Sequence, residues 1–374
     1  MKHLKELKEA VRNPLDYARK LKKDSGEKMV GYVCSYVPEE IILAAGAHPV
    51  RLFGAKENVS LADSHLQSYC CSLARGVLEE GLSGRADLLD GMIFPHTCDS
   101  IQRLSDIWRM NISFGFHLDV ILPVKLDTES ARDYMVDVLE KFRKDIGGAL
   151  QADVTDAALE KAITTMNIIR QSIRSIYEMR SLHPRVMSGE DLYTLVRASM
   201  IMDRDRMVEL LLDTQAELQV KAANLKKNKP LKRLVLAGGI CNHPDIYPMI
   251  EKSGGAIVWD DFCTGARYFS EIIHEGAAPL SRIAARLIHR VVCPAKHMDL
   301  EGRARHILDL VKEKNAQGVI FLLLKFCDPH AFDYPYIKQS LDDAGIPVML
   351  MEINDPESAG GQIKTRVEAF LEML

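Results

Sequence analysis

The sequence predicts an α/β protein built on two open parallel sheets joined by a helical connector. Three observations carry this reading: short apolar runs recur toward both ends of the chain, Gly, Pro, Asp or Ser punctuate them, and a block of helical periodicity lies between. In the first region KMVGYVCS, PVRLFG, LDGMIFPHT and HLDVILPVKL read as buried strands, with helix formers from Pro38 to Gly46. This makes residues 1–150 an N-terminal α/β domain. Residues 151–228 form the connector, where TDAALEKAITTMNIIRQSIRSIYEMR repeats apolar residues at spacings of three and four, and Thr155 or Asp156 can cap. The polar run LKKNKPLKR closes it, since Pro230 ends any helix. A second α/β domain spans 229–374, with strands LVLAGGI, AIVWDDF, VIFLLLKF and VMLMEI. Its helices are GRARHILDLVKEKN, YPYIKQSLDDAG and Ile363 to Leu374.

At 374 residues the chain exceeds the roughly 250 to 300 at which single cores stop growing, so two or three domains are expected. A content of 47% hydrophobic and 27% charged residues excludes disorder and collagen. The 48 Lys and Arg against 52 Asp and Glu leave a net charge of -4, which argues against nucleic acid as a partner. No run approaches the roughly 18 apolar residues of a membrane helix. The amino terminus MKHLKELKEAVRNPLDYARKLKKD is charged throughout and carries no export signal, so a cytoplasmic location with reduced thiols is expected.

None of the eight cysteines forms a Cys-x-x-Cys pair. Five of them, Cys34, Cys98, Cys241, Cys263 and Cys327, sit where an expected strand runs out, the edge at which open α/β sheets place ligands. A single free cysteine is ordinarily a small buried hydrophobe. Cys98 in FPHTCDS and Cys327 in KFCDPH lie instead in polar, turn-forming surroundings. Three thiolates from separate loops suit an iron-sulfur cluster or zinc, and composition does not separate the two.

The stretches CSYVPEEIILAAGAHPVRLFG, ADSHLQSYCCSLARGVLEEGL, LLDGMIFPHTCDSIQRLSDIWRMN, AGGICNHPD, WDDFCTGARYF and LLLKFCDPHAFDYPYIK carry a resemblance. In this order, along nearly the whole chain, they resemble the 2-hydroxyacyl-CoA dehydratase D-component and benzoyl-CoA reductase family. The resemblance implies two Rossmann-like domains with an oxygen-labile 4Fe-4S cluster in the interdomain cleft, held by three cysteines per subunit. The matching positions are Cys71 in YCCSLARG, Cys98 and Cys327, with Cys70 as the alternative to Cys71. Three thiolates leave one iron with an open coordination position. A relative within the family holds a double cubane (8Fe-9S) on six cysteines, for which Cys241, Cys263 and Cys293 would be the second set.

The chemistry implied is an ATP-driven, one-electron activation by a separate iron-sulfur activator protein, followed by loss of water from a 2-hydroxyacyl-CoA through a ketyl radical, or by ring reduction in the benzoyl-CoA branch. Glu40 in VPEEII matches an acidic position near the reacting thioester; the same acid would also be favoured there by the helix dipole. His96 would donate a proton or a hydrogen bond to cluster sulfur, or be structural. Arg282, Arg286, Arg290 and Lys296 read as a solvated helix face, with CoA phosphates as the rival reading, and Trp108 reads as core. No Walker motif appears, so ATP hydrolysis belongs elsewhere. The chain reads as the smaller, beta-type subunit, paired with a homologous second subunit or with itself. A non-catalytic electron-transfer subunit is the reading from another class.

Overall fold

The computed structural model describes residues 2–54, 59–226, 229–242, 245–291, 293–299, 301–353 and 360–374. Strands β1 (Lys28–Tyr32), β2 (Ala47–Arg51), β3 (Gly91–Pro95) and β4 (Phe116–Val120) form a parallel sheet in the order β2-β1-β3-β4. Strands β5 (Lys232–Gly238), β6 (Gly255–Asp261), β7 (Gly318–Leu324) and β8 (Val348–Ile353) form a second in the order β6-β5-β7-β8. All eight expected strands are present, and the two sheets repeat one Rossmann-like winding. In each, the chain first crosses to one side and then to the other, leaving a crevice beyond the carboxyl ends of β1 and β3, and of β5 and β7.

The apolar composition explains why these runs pair. From Leu234 to Gly238 every residue of β5 is buried, as are nearly all of β7, which is what a sheet covered on both faces requires. Gly238 ends β5 at φ +139°, and a Cβ there would lie 2.1 Å from the Leu322 carbonyl oxygen, so only glycine fits the approach to β7.

Long capped helices lie between β4 and β5 in the chain. Thr128, Thr155, Ser188 and Asp203 each accept a backbone N–H with their side chains and start helices Glu129–Leu150, Asp156–Leu182, Gly189–Ala198 and Arg204–Ala223. Of the two expected caps for the longest, Thr155 is the one used. That helix lies along Arg204–Ala223 and touches both helix Glu39–Ala44 and β6. The halves also interlock: helix Pro279–His289 packs on Glu129–Leu150 and joins the core behind the first sheet. A second core is shared, combining Met92 and Phe94 of β3 with Val319 and Phe321 of β7.

One boundary differs from expectation. The helix expected to begin near Tyr334 begins at Asp328, because Pro329 occupies the first turn, where its missing N–H costs nothing, and Pro335 is accommodated farther in. Among the described residues no helix is long and apolar enough to cross a membrane.

Candidate functional site

Cys71, Cys98 and Cys327 occupy one local position three times over. Each is the N-cap residue of a helix: Ser72–Leu82, Asp99–Asn111 and Asp328–Asp343. Cys98 follows β3 and Cys327 follows β7, so both stand at the switch point of their sheets. Cys71 arrives from the loop after the short turn Ala62–Ser64. The turn delivering Cys327 places Phe326 at φ +64°, a conformation bulky side chains rarely adopt, with the Cys327 N–H held at 3.0 Å by the Leu324 carbonyl.

The three thiols are electrostatic neighbours. Burial pushes Cys98 up to about 12, and the thiols of Cys71, Cys34 and Cys293 push the same way. Cys327 is raised well above its ordinary value by burial, then by Cys71, Cys98 and Cys293, and Cys71 is raised chiefly by burial. Opposing this, the N–H three residues on, at Ala74, Ile101 and His330, favours each thiolate, although none closes a full cap hydrogen bond. Buried sulfurs that repel one another as thiolates need a multivalent cationic centre between them, and three helix N-termini add positive potential toward an anionic assembly. A single tetrahedral ion bonded at about 2.3 Å would draw its sulfurs to within roughly 4 Å of one another. These three are not all within 4.8 Å of one another, so they are not gathered at single-ion spacing here.

The remaining cysteines separate by environment. Cys70 turns its sulfur toward Gln67 at 3.9 Å. Cys241 is buried against Tyr193 and Tyr247 in the core of the second sheet, whereas Cys293 lies in range of Cys34, Cys98 and Cys327. Cys263 accepts Arg51 Nη2 at 3.4 Å. Cys241, Cys263 and Cys293 are therefore spread over three surroundings. The neighbourhood of Cys293 to the ligand candidates was not legible in the sequence, since Cys293 follows no strand, whereas Cys34 stands after β1 at the strand-end edge expected for ligands.

Residues 34–374 match the family model described as 2-hydroxyglutaryl-CoA dehydratase, D-component. The chain belongs to this family. Among its relatives is the (R)-phenyllactyl-CoA dehydratase beta subunit of Clostridium sporogenes, 28% identical with 100% of this chain and 99% of that protein covered. A benzoyl-CoA reductase subunit of Thauera aromatica is 27% identical (98% and 96% covered), and the (R)-2-hydroxyglutaryl-CoA dehydratase beta subunit of Acidaminococcus fermentans is 27% identical (94% of each).

In this D-component chain Glu40 is fully buried and paired with the Arg170 guanidinium, which with Arg286 holds its carboxyl below the ordinary value against the opposing effect of burial. Its neighbour Glu39 accepts Tyr32 Oη, Tyr268 Oη at 3.1 Å and Arg204 Nη2 at 3.2 Å. His96 shares a 2.9 Å hydrogen bond with Asp119, which also accepts the Ser105 hydroxyl. Trp108 packs in the core against Phe94 and Phe114. The basic stripe is a correction: Arg286, Arg290 and Lys296 are buried, not a solvated face. Arg286 donates to the Glu271 and Tyr268 carbonyls, Arg290 to Ser35 and the Arg267 carbonyl, and Lys296 to the Leu122 carbonyl at 3.1 Å, while Arg282 pairs with Glu160. Helical spacing alone could not reveal these partners, because they belong to other segments and most are backbone carbonyls.

Proposed function

We propose that this chain is the beta-type subunit of a two-component 2-hydroxyacyl-CoA dehydratase, with Cys71, Cys98 and Cys327 holding a 4Fe-4S cluster. The observation carrying the reading is the threefold recurrence of cysteine as helix N-cap, drawn from both sheets, in a chain similar over its whole length to dehydratase beta subunits. When bound, the cluster supplies one-electron transfer and, at an iron without a protein thiolate, a Lewis-acidic position. The residues around it have separate tasks. Three helix N-termini offset the negative charge of the thiolates. Asp119 fixes the ring of His96, which stands two residues before Cys98 in the chain. Glu40, neutralised by Arg170, anchors the helix start beside β1 and acts as a positioning residue.

The reading includes a homologous second subunit, an ATP-dependent iron-sulfur activator, an acyl-CoA substrate and a cytoplasmic setting. Similarity to the benzoyl-CoA reductase subunit of Thauera aromatica supports ring reduction as the second reading. Anaerobic reconstitution of the purified chain with its partner subunit, an activator and ATP decides between them. Formation of an enoyl-CoA from a 2-hydroxyacyl-CoA supports dehydration, reduction of benzoyl-CoA supports the alternative, and neither activity from a fully loaded complex contradicts both.

A further inference from the structure

A cavity of about 350 Å³ lies apart from the ligand cysteines, where helix Pro14–Ser25, the end of β2 and the far end of helix Ser72–Leu82 meet. Its lining is strongly cationic. Arg12, Arg19, Arg51, Arg85 and Arg197 face only two carboxyl groups, those of Asp16 and Glu80. Arg19 is already neutralised by Asp16 and Asp87. The exposed Arg12 and Arg85 lie at its mouth, Arg85 acting on the Glu80 carboxyl, while Arg197 lies over the Phe53 ring at 3.7 Å from its centroid and donates to Tyr193 Oη at 2.5 Å and Asn242 Oδ1 at 2.7 Å.

Several polar groups here are unfinished. Arg51 and Arg197 are each 1% exposed, yet their Nε atoms have no hydrogen-bond partner, and neither has Oε2 of Glu80. A buried donor left unpaired costs about 1–3 kcal/mol, so acceptors are scarce behind this wall of the cavity. The helix starting at Pro14 opens onto the cavity, and its N-cap Asn13 makes no side-chain cap bond, leaving first-turn N–H groups for another acceptor.

We propose that this cavity binds the phosphate group of an anionic small molecule, with Arg12 and Arg85 as its cationic contacts, the buried Arg197 adding positive charge behind them, and first-turn amides of the Pro14–Ser25 helix as neutral donors. The volume suits a phosphate ester or diphosphate. Glu80 tempers the site: burial, against the pull of Arg85 and Arg197, raises its carboxyl to about 7, so at neutral pH it opposes an anion with less than a full charge. The cavity shares no lining residue with the cysteine set, so the inference stands whether or not the chain holds a cluster.

The test is calorimetric titration of the full-length chain with pyrophosphate in low-salt buffer, beside a variant carrying Arg12→Gln and Arg85→Gln. Saturable binding by the parent chain, weakened about tenfold or more in the variant and by added salt, supports the site. No saturable binding up to about 1 mM, or equal binding by both proteins, overturns it. Both arginines are exposed, so unchanged thermal unfolding of the unliganded variant separates lost binding from lost folding; Glu80→Gln, which removes the competing charge, is expected to bind at least as tightly as the parent, and weaker binding counts against the arrangement. Parallel titrations with CoA, ADP and inorganic phosphate identify the source of the phosphate: whichever binds most tightly names it.

Discussion

The two sheets share one strand order, yet the loops at their carboxyl ends do different jobs. Beyond β1, buried acids face arginines from distant helices, Glu39 with Arg204 and Glu40 with Arg170. At the end of β6 the arrangement is more condensed: fully buried Asp261 takes Arg267 at 3.1 Å and Arg303 at 2.7 Å, and Arg303 also reaches Asp333. The segments after β2, β3 and β7 present cysteine at a helix start. Topology supplies the crevice; the residue standing at each strand end decides whether it is stapled by charge or offered to a metal.

The largest effect is expected at the cysteines. Replacing Cys98 or Cys327 by Ser should remove nearly all of the cluster absorbance from anaerobically purified protein, whereas Cys241→Ser, in the core of the second sheet, should leave it in place. Equal loss from all three would erase the distinction between strand ends.

The charge staples come next. Removing one partner of a buried pair strands the other charge, at a cost of about 3–5 kcal/mol. Glu40→Ala and Asp261→Asn should each lower unfolding stability by that amount in urea titrations. Asp261 is held far below the ordinary carboxylate range by Arg267, Arg303 and His306 despite the opposing effect of its burial, so its contribution is present above the unfolded-state value and fades as acid protonates it. Asp261→Asn should therefore flatten the acid limb of the stability profile, a limb that would survive unchanged if the pairing were incidental.

His48, on edge strand β2, works through burial. Its imidazole is pushed down to about 4, first by burial and then by Arg204, while its hydrogen bond to the Ile201 carbonyl and Asp203 oppose the change. The folded value lies below the unfolded one of about 6.5, so the unfolded chain takes up the proton first. Stability is complete above that pH and falls by about 3 kcal/mol as the pH drops to about 4. A His48→Gln variant whose urea midpoint keeps the same slope between these pH values would show that another group is responsible.

The smallest effect separates the ends of β1 and β5. Gly238→Ala places a methyl group against the Leu322 carbonyl at a strained φ, with an expected loss of about 1–3 kcal/mol in thermal or urea unfolding. No loss would show that β5 can move away from β7.

The strands were legible because each apolar run is bounded by residues that break sheets, from Gly26 before β1 to Pro347 before β8. The ligand candidates were legible through the resemblance of their motifs, and Cys98 and Cys327 also through their polar loops. Their role as helix N-caps was not, since cysteine is no usual cap and the start at Asp328 hides behind Pro329 and Pro335. Nor were the staples: Glu40 and Arg170 stand 130 positions apart, and nothing local links them.

Counting iron and acid-labile sulfide in the anaerobically purified chain tests the central claim most directly. About four of each per chain, lost together when Cys71, Cys98 or Cys327 is replaced by Ser, is the expected result. One zinc per colourless chain, or iron that survives all three replacements, would contradict it.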